Sequence, residues 1–304
     1  MKERCKKVLL CLAAVLVTLL ISAVGVQAAT VKTVQWSDEP AVKVGGAWYR
    51  SVYNYNEETG ESGITIDRST VSATTGFKTI ISEKNIGGGF AVDGKKVYFL
   101  QKNVLKAYTI KTGKITTIKT LKAGNDVYYN FNGYYNKKIW LLGRVEKYGV
   151  QTLLSLNPKT GKVKTEKKKF LCFNPAAPTR YLVISEGRTK LSTKTGATYK
   201  LKVYDKKTGK TKTICKKARP WWWASGGGYD TMSKFAIYGE YNKKKKIWEI
   251  KEYKFSKKKT YVLKKLKKGE KLSYLMYTGN GALYGLSTDS QTGVWDESRI
   301  VKAK

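Results

Sequence analysis

The chain has 304 residues, and its 41% hydrophobic content is that of a folded protein rather than a disordered one. It contains no histidine, which excludes Ser-His-Asp and Cys-His chemistry, histidine general bases and His-ligated zinc. Its formal net charge is +37, nearly all of it from lysine, and such a field draws in polyanions.

Lys2, Arg4, Lys6 and Lys7 lead an apolar run from Val8 to Val26, and Val26-Gln27-Ala28 then supplies small residues. That is the layout of a secretory signal peptide over residues 1–28, cleaved after Ala28 or Ala29. An uncleaved anchor is the alternative, because an apolar run of this length spans a bilayer. Cys11 follows Leu9-Leu10 rather than a small residue and lies too early to be a lipoprotein cysteine. Residues 29–304 suffice for a single large β domain, and no second apolar run has membrane-spanning length.

Beyond the leader the chain reads as short strands. Val31 to Trp36 is the first. Six apolar β runs follow: Ala47 to Tyr53, Val97 to Leu100, Ile139 to Leu142, Tyr181 to Ile184, Phe235 to Tyr238 and Ala282 to Leu286. Each is led by a turn, containing in order Gly45-Gly46, Asp93-Gly94, Asn136, Pro178, Asp230 and Gly279-Asn280-Gly281. Their spacing, roughly 42 to 54 residues, is that of a blade-sized repeat. Thr-Gly turns at Thr75-Gly76, Thr112-Gly113, Thr160-Gly161 and Thr208-Gly209 form a second series, the last three glycines 48 residues apart. Each reads as a tight hairpin that needs a glycine with positive φ. Lys257 to Lys259 take the same place one period later.

The second copy divides into four strands, a to d: Gly89 to Val92, Lys96 to Gln101, Val104 to Ile110 and Ile115 to Leu121. Four short antiparallel strands per repeat make a propeller blade. The sixth copy has Leu272 to Thr278, Ala282 to Ser287 and Arg299 to Lys302, and lacks strand d. The expected fold is therefore all-β, a six-bladed β-propeller of four-stranded antiparallel blades, with the last blade closed by the N-terminal strand Val31 to Trp36. A β-sandwich or an open β array is the rival.

Blade texture such as "KKVYFL…LKAYTIKTGKITTI" resembles the secreted bacterial six-bladed β-propeller proteins of unknown function, in the TolB-like and low-density-lipoprotein-receptor-like group. The likeness covers the whole chain beyond the leader. The receptor propellers' Tyr-Trp-Thr-Asp quartet is absent; "KKIWLL" and "GALYGL" are the nearest segments. The resemblance implies fold and export and carries no catalytic residue across.

In a propeller the d–a and b–c connections share one face. Most loop carboxylates map there, Glu83, Asp126 and Glu270 among them, whereas the "KTGK" and "SKKK" turns make the opposite face lysine-rich. Trp221-Trp222-Trp223 follows Arg219-Pro220 where the fifth blade begins, and alternation prevents all three rings from facing the core. Aromatic faces suit sugars and cations, so a ligand pocket is placed where Trp221, Trp222, Trp223 and Arg219 meet Glu83, Asp126 and Glu270. Inter-blade packing of the rings and ordinary solvated loops are the plainer alternatives. Lys257, Lys258, Lys259, Lys264, Lys265, Lys267 and Lys268 crowd an outer strand and its turns. They protect the edge from pairing, or form a polyanion-binding rim, or both.

Two functional readings follow. The first is a non-catalytic binding or scaffold module, secreted or at the cell envelope, contacting an anionic cell-wall polymer or acidic glycan, with another surface protein as a further candidate partner. The second is a carboxylate-dependent glycoside hydrolase or lyase at the axial mouth. No metal motif, cofactor motif or groove-reading nucleic-acid motif occurs, and a monomer without a membrane span after cleavage is expected. Cys172 falls in a strand a and Cys215 in a strand d of one blade, about 14 Å apart at ~4.8 Å per strand, too far for a disulfide.

Overall fold

A computed structural model describes residues 33–36, 41–56, 62–122, 127–145, 151–174, 179–186, 198–220, 223–224, 234–277, 281–287 and 297–302. Every regular element among them is a strand. The chain forms two compact units, residues 36–53 with 63–304, and residues 1–35 with 54–62. The smaller unit contributes most of β1 (Thr33–Trp36) and the end of β3 (Ala47–Asn56) to the described residues.

The first sheet holds β1, β2 (Val42–Val44), β3, β4 (Ser62–Ser69) and β5 (Lys78–Ile81). The second is the meander β6 (Ile86–Val92), β7 (Lys96–Gln101), β8 (Val104–Thr109) and β9 (Ile115–Thr120). The third runs through β10 (Val127–Tyr135), β11 (Lys138–Val145), β12 (Gln151–Leu156) and β13 (Val163–Cys172). β13 does double duty: its first part pairs with β12, and Leu171 and Cys172 pair with β14 (Tyr181–Ser185). β15 (Tyr199–Asp205) and β16 (Thr211–Pro220) complete that fourth meander. β16 repeats the device, since Ala218 to Pro220 pair with β18 (Phe235–Asn242), which continues into β19 (Ile247–Lys254) and β20 (Lys259–Lys265). Outer strand thus runs into next inner strand, merging three meanders into a ten-stranded sheet. A last sheet orders β17 (Trp223–Ala224), β21 (Lys271–Tyr277), β22 (Gly281–Ser287) and β23 (Glu297–Lys302).

The repeat reading therefore holds at the level of consecutive antiparallel meanders. All six apolar runs lie in second strands, β3, β7, β11, β14, β18 and β22. β7, β11, β14 and β18 are buried on both faces; residues 139–142, for instance, are no more than 1% exposed, whereas β3 alternates buried Ala47 and Tyr49 with partly exposed Trp48 and Arg50. Successive sheets supply the burial. Tyr98 and Leu105 share a cluster with Phe131 and Ile139, and Trp140 and Leu142 with Leu182 and Ile184. Val183 and Leu201 continue it to Ile237, Trp248 and Tyr284. Each fully buried side chain of this size contributes roughly 1.5–3 kcal/mol of transfer free energy. Fourth strands are wet by contrast, and β9 shows no buried residue.

The turn glycines behave as the hairpins require. Gly113, Gly161 and Gly209 have φ of 68°, 67° and 69°, and each donates its N–H to the carbonyl four residues back. One period later Lys258 takes the same left-handed conformation at φ 52°.

Closure by the N-terminal strand is not what the described residues show. β1 pairs with β3 in the first sheet, and β23 ends the last sheet without it. β2 pairs with residues 47–49 of ten-residue β3, which leaves the rest of β3 for other partners. The fifth meander also starts differently. Pro220 is the last residue to pair with β18, having no N–H to extend the ladder, and Trp223-Ala224 instead runs parallel to Met276-Tyr277 of β21. Segment 1–28 lies outside the described residues.

Candidate anion-binding surface

β20 is the outer edge of the ten-stranded sheet. Its Leu263 and the following Leu266 pack inward, the latter donating its N–H to the Trp248 carbonyl at 2.9 Å. Lys257, Lys258, Lys259, Lys264, Lys265, Lys267 and Lys268 are all exposed. None of the seven forms an ion pair among the described residues. Glu249 and Glu252 of the neighbouring strand β19 are 4% and 0% exposed and turn inward to Lys251 and Lys254, and Glu270, just after the stretch, lies 3.7 Å from Arg299. The surface charge is therefore not neutralised locally. Exposed lysines recur on the other fourth strands: Lys119 on β9, Lys164, Lys168 and Lys169 on β13, and Lys212, Lys216 and Lys217 on β16.

Beside this strip lies a groove of about 710 Å³, lined by Arg180, Tyr181, Lys234, Phe235, Lys254, Phe255, Ser256 and Lys258. The starts of β14 and β18 and the β19–β20 turn bring these residues together. Its wall is aromatic: Tyr181 and Phe255 have ring centroids 5.0 Å apart, and the Arg180 guanidinium sits 5.0 Å over the Tyr181 ring. Arg180 is committed to Asp205, its Nε donating to Oδ1 at 2.7 Å and its Nη2 to Oδ2 at 2.5 Å, and this bond holds the Asp205 carboxyl below its usual range. Lys254 lies 3.9 Å from buried Glu252. Lys234 and Lys258 are exposed and without an ion pair among the described residues. The groove thus carries four cations against two engaged carboxylates. The sequence reading missed it, although a signal existed: Lys96, Lys138, Arg180 and Lys234 each directly precede or open an apolar run.

The pocket expected around the three tryptophans is only partly within view. Trp221, Trp222 and Asp126 lie outside the described residues, and Trp223 is described only as the backbone of β17. Arg219 leaves β16 toward β21 and hydrogen-bonds the Leu272 carbonyl, with its guanidinium 6.0 Å from the Trp248 ring. Glu83 stays within the second meander, 4.0 Å from Lys106 and accepting from Gln101 at 3.4 Å. Glu270 accepts from the Lys267 N–H at 2.6 Å and lies 3.7 Å from Arg299. Each described carboxylate of the set has its own local partner.

Lys206 breaks the pattern of its repeat. In the second, fourth and fifth meanders the residue after the third strand donates its N–H to the residue just before the second strand: Ile110 to Lys95, Lys206 to Arg180 and Phe255 to Lys234. Where the other repeats place an apolar plug, this one places a lysine that is 5% exposed. Its Nζ donates to the Asn132 carbonyl at 2.9 Å and sits 5.4 Å from the Trp140 ring. Burial lowers its amine to about 7, against a small opposing effect of Cys172.

Cys172 and Cys215 are free, and they lie in the first and last strands of the fourth meander as the sequence requires. Burial pushes both thiols up to about 12, so neither is a nucleophile near neutral pH. The described carboxyls with a shifted pKa all move down. Hydrogen bonds from Lys167 and Lys202 take Glu186 to about 2. Burial alone would raise Glu166 and Glu249, and their bonds from Lys164 and Lys251 outweigh it.

No protein-family model matches the chain, and no curated protein matches it. Solved structures do. The chain is similar to Pyrococcus horikoshii acylaminoacyl peptidase in an orthorhombic crystal form, at TM-score 0.50 and 10% identity, over 86% of this chain and 44% of that one. It spans less than half of that peptidase, and the likeness concerns the fold alone. The β-propeller domain of the trilobed protease from Pyrococcus furiosus is similar at TM-score 0.49 and 11% identity, over 90% and 84% of the two chains. TolB from Acinetobacter baumannii is similar at TM-score 0.38 and 12% identity, over 91% and 82%.

Proposed function

We propose that this chain is an exported six-bladed β-propeller, a single domain over residues 29–304, that works as a non-catalytic binding or scaffold module at the cell envelope. It contacts anionic wall polymer or acidic glycan through the lysines of its outer strands. Support for the blades comes from the consecutive meanders, of whose second strands β7, β11, β14 and β18 are buried between neighbouring sheets. Support for export comes from the basic and apolar N-terminal segment.

One observation carries the binding reading: the seven exposed lysines on and around β20 form no ion pair among the described residues, Glu249 and Glu252 being turned inward and the neighbouring Glu270 lying 3.7 Å from Arg299. Lysine also guards an exposed strand edge, and the two roles are compatible. A one-sign array builds a field that concentrates polyanions. The test is retention of the purified protein on bacterial cell walls with and without teichoic acid. Retention that requires the polymer supports the reading, and equal retention on stripped walls refutes it.

A further inference from the structure

We propose that the groove between the start of β14 and the β19–β20 turn binds one negatively charged sugar unit of an acidic glycan. Lys234 and Lys258 hold the anion, and the half-buried Tyr181 ring, backed by buried Phe255, carries the sugar ring. This inference rests on the polyanion reading and names the place where that reading becomes selective.

The groove's size fits. At about 710 Å³ it lies within the roughly 300–1,000 Å³ of small-ligand clefts, room for a sugar unit and part of its neighbour. Its charge decides the sign of the ligand. Asp205 is spent on Arg180, and Glu252, fully buried, faces Lys254. That leaves Lys234 and Lys258 at the mouth. Lys212 adds to them, because its Nζ reaches the Lys258 carbonyl at 3.4 Å. These cations give the groove a positive sign, and an anion is the ligand such a field attracts.

The wall decides between a bare anion and an anion on a ring. Tyr181, Phe235 and Phe255 give the cavity an apolar side that phosphate alone would not use. The C–H face of a pyranose does use it, while Ser256 and the lysines meet its polar edge. Phe255 also explains why a groove exists here. At the equivalent turn of the preceding repeat, Lys206 reaches across to the Asn132 carbonyl of the neighbouring sheet. Phe255 instead packs back against Tyr181 and Tyr253 and closes the floor of the groove.

The ligand to use is a hyaluronan tetrasaccharide, which alternates uronate with a neutral sugar, titrated calorimetrically into the purified protein at low salt. Chitotetraose is the neutral control, and a glycerol-phosphate polymer supplies charge without a ring. Lys234→Gln with Lys258→Gln empties the mouth of the groove; Lys264→Gln with Lys265→Gln removes equal charge from the β20 edge. All four side chains are exposed, so both variants keep the fold. The proposal expects uronate binding that weakens about tenfold or more in the groove variant and about twofold or less in the edge variant. Equal weakening in both variants overturns the groove and leaves the polyanion reading standing. So does binding of the glycerol-phosphate polymer without the tetrasaccharide. Equal binding of chitotetraose also overturns it, since the anion would then go unread. Failure of every anionic ligand overturns both readings.

Discussion

Replacing Lys206 by methionine should stabilise the protein at pH 6 and do progressively less as the pH rises. The lysine occupies a plug position that is Ile110 and Phe255 elsewhere, is 5% exposed, and has its amine lowered from 10.5 to about 7 by burial. The sign follows from linkage. Between about pH 7 and 10.5 the unfolded chain keeps the proton and the folded chain does not, so folding stability rises with pH through that window. Below pH 7 both states are charged, and the folded state bears the full cost of burying the ammonium. At ~1.4 kcal/mol per pKa unit, the displacement corresponds to about 4–5 kcal/mol between the two ends of the window. Methionine fills similar volume without charge but forfeits the bond to the Asn132 carbonyl, a loss of about 1–3 kcal/mol. The expected net gain at pH 6 is therefore about 2–3 kcal/mol, shrinking to zero or below by pH 9. Urea unfolding of both proteins at pH 6, 7, 8 and 9 measures it, and taking the difference cancels the titration of the many surface lysines. A Lys206→Met protein less stable at pH 6, with the same pH slope as the parent, would refute the argument.

Gly239→Ala should destabilise by about 1–3 kcal/mol in chemical denaturation, because a Cβ there collides with the Leu272 side chain where β18 passes β21. Arg219→Ala would relieve none of that clash, so the double substitution should be no more stable than Gly239→Ala. Glu186 is held at about 2 by Lys167 and Lys202, so its contribution is present above its ordinary 4.5 and lost as the pH falls toward 2. Glu186→Gln should flatten that part of the acid-unfolding curve by about 1 kcal/mol or less, since the carboxylate is 43% exposed. Neither Cys172 nor Cys215 should react with iodoacetamide in the native protein at pH 8, and reduction should leave the intact mass unchanged.

The strands themselves were legible because their signal is local. A run such as Val97 to Leu100 is apolar on both faces and bounded by Asp93-Gly94, and Thr112-Gly113 fixes the hairpin that follows. The separation of Cys172 from Cys215 came from the same map and holds. What was not legible depends on pairings that no local pattern encodes. β1 offers the same polar-apolar text to either the first or the last sheet, and only its pairing with β3 decides between them. Lys206 sits in a "KKTGK" turn that reads as solvated charge, because sequence does not tell which of two adjacent lysines the turn points inward. The burial of Glu249 and Glu252 on β19 is likewise set by packing across the sheet and not by their lysine-rich text. The groove at Arg180 and Lys234 escaped notice because each of its residues is ordinary alone.

The most direct test of the polyanion-binding account is the salt dependence of affinity for a glycerol-phosphate polymer. It should be measured for the parent chain and for a variant with Lys257, Lys258, Lys259, Lys264, Lys265, Lys267 and Lys268 changed to glutamine. The account predicts binding that falls steeply with salt, and a variant whose affinity is lower and whose salt slope is shallower. An unchanged slope in the variant, or no binding by the parent at low salt, would contradict it and reduce these lysines to guards of an exposed strand edge.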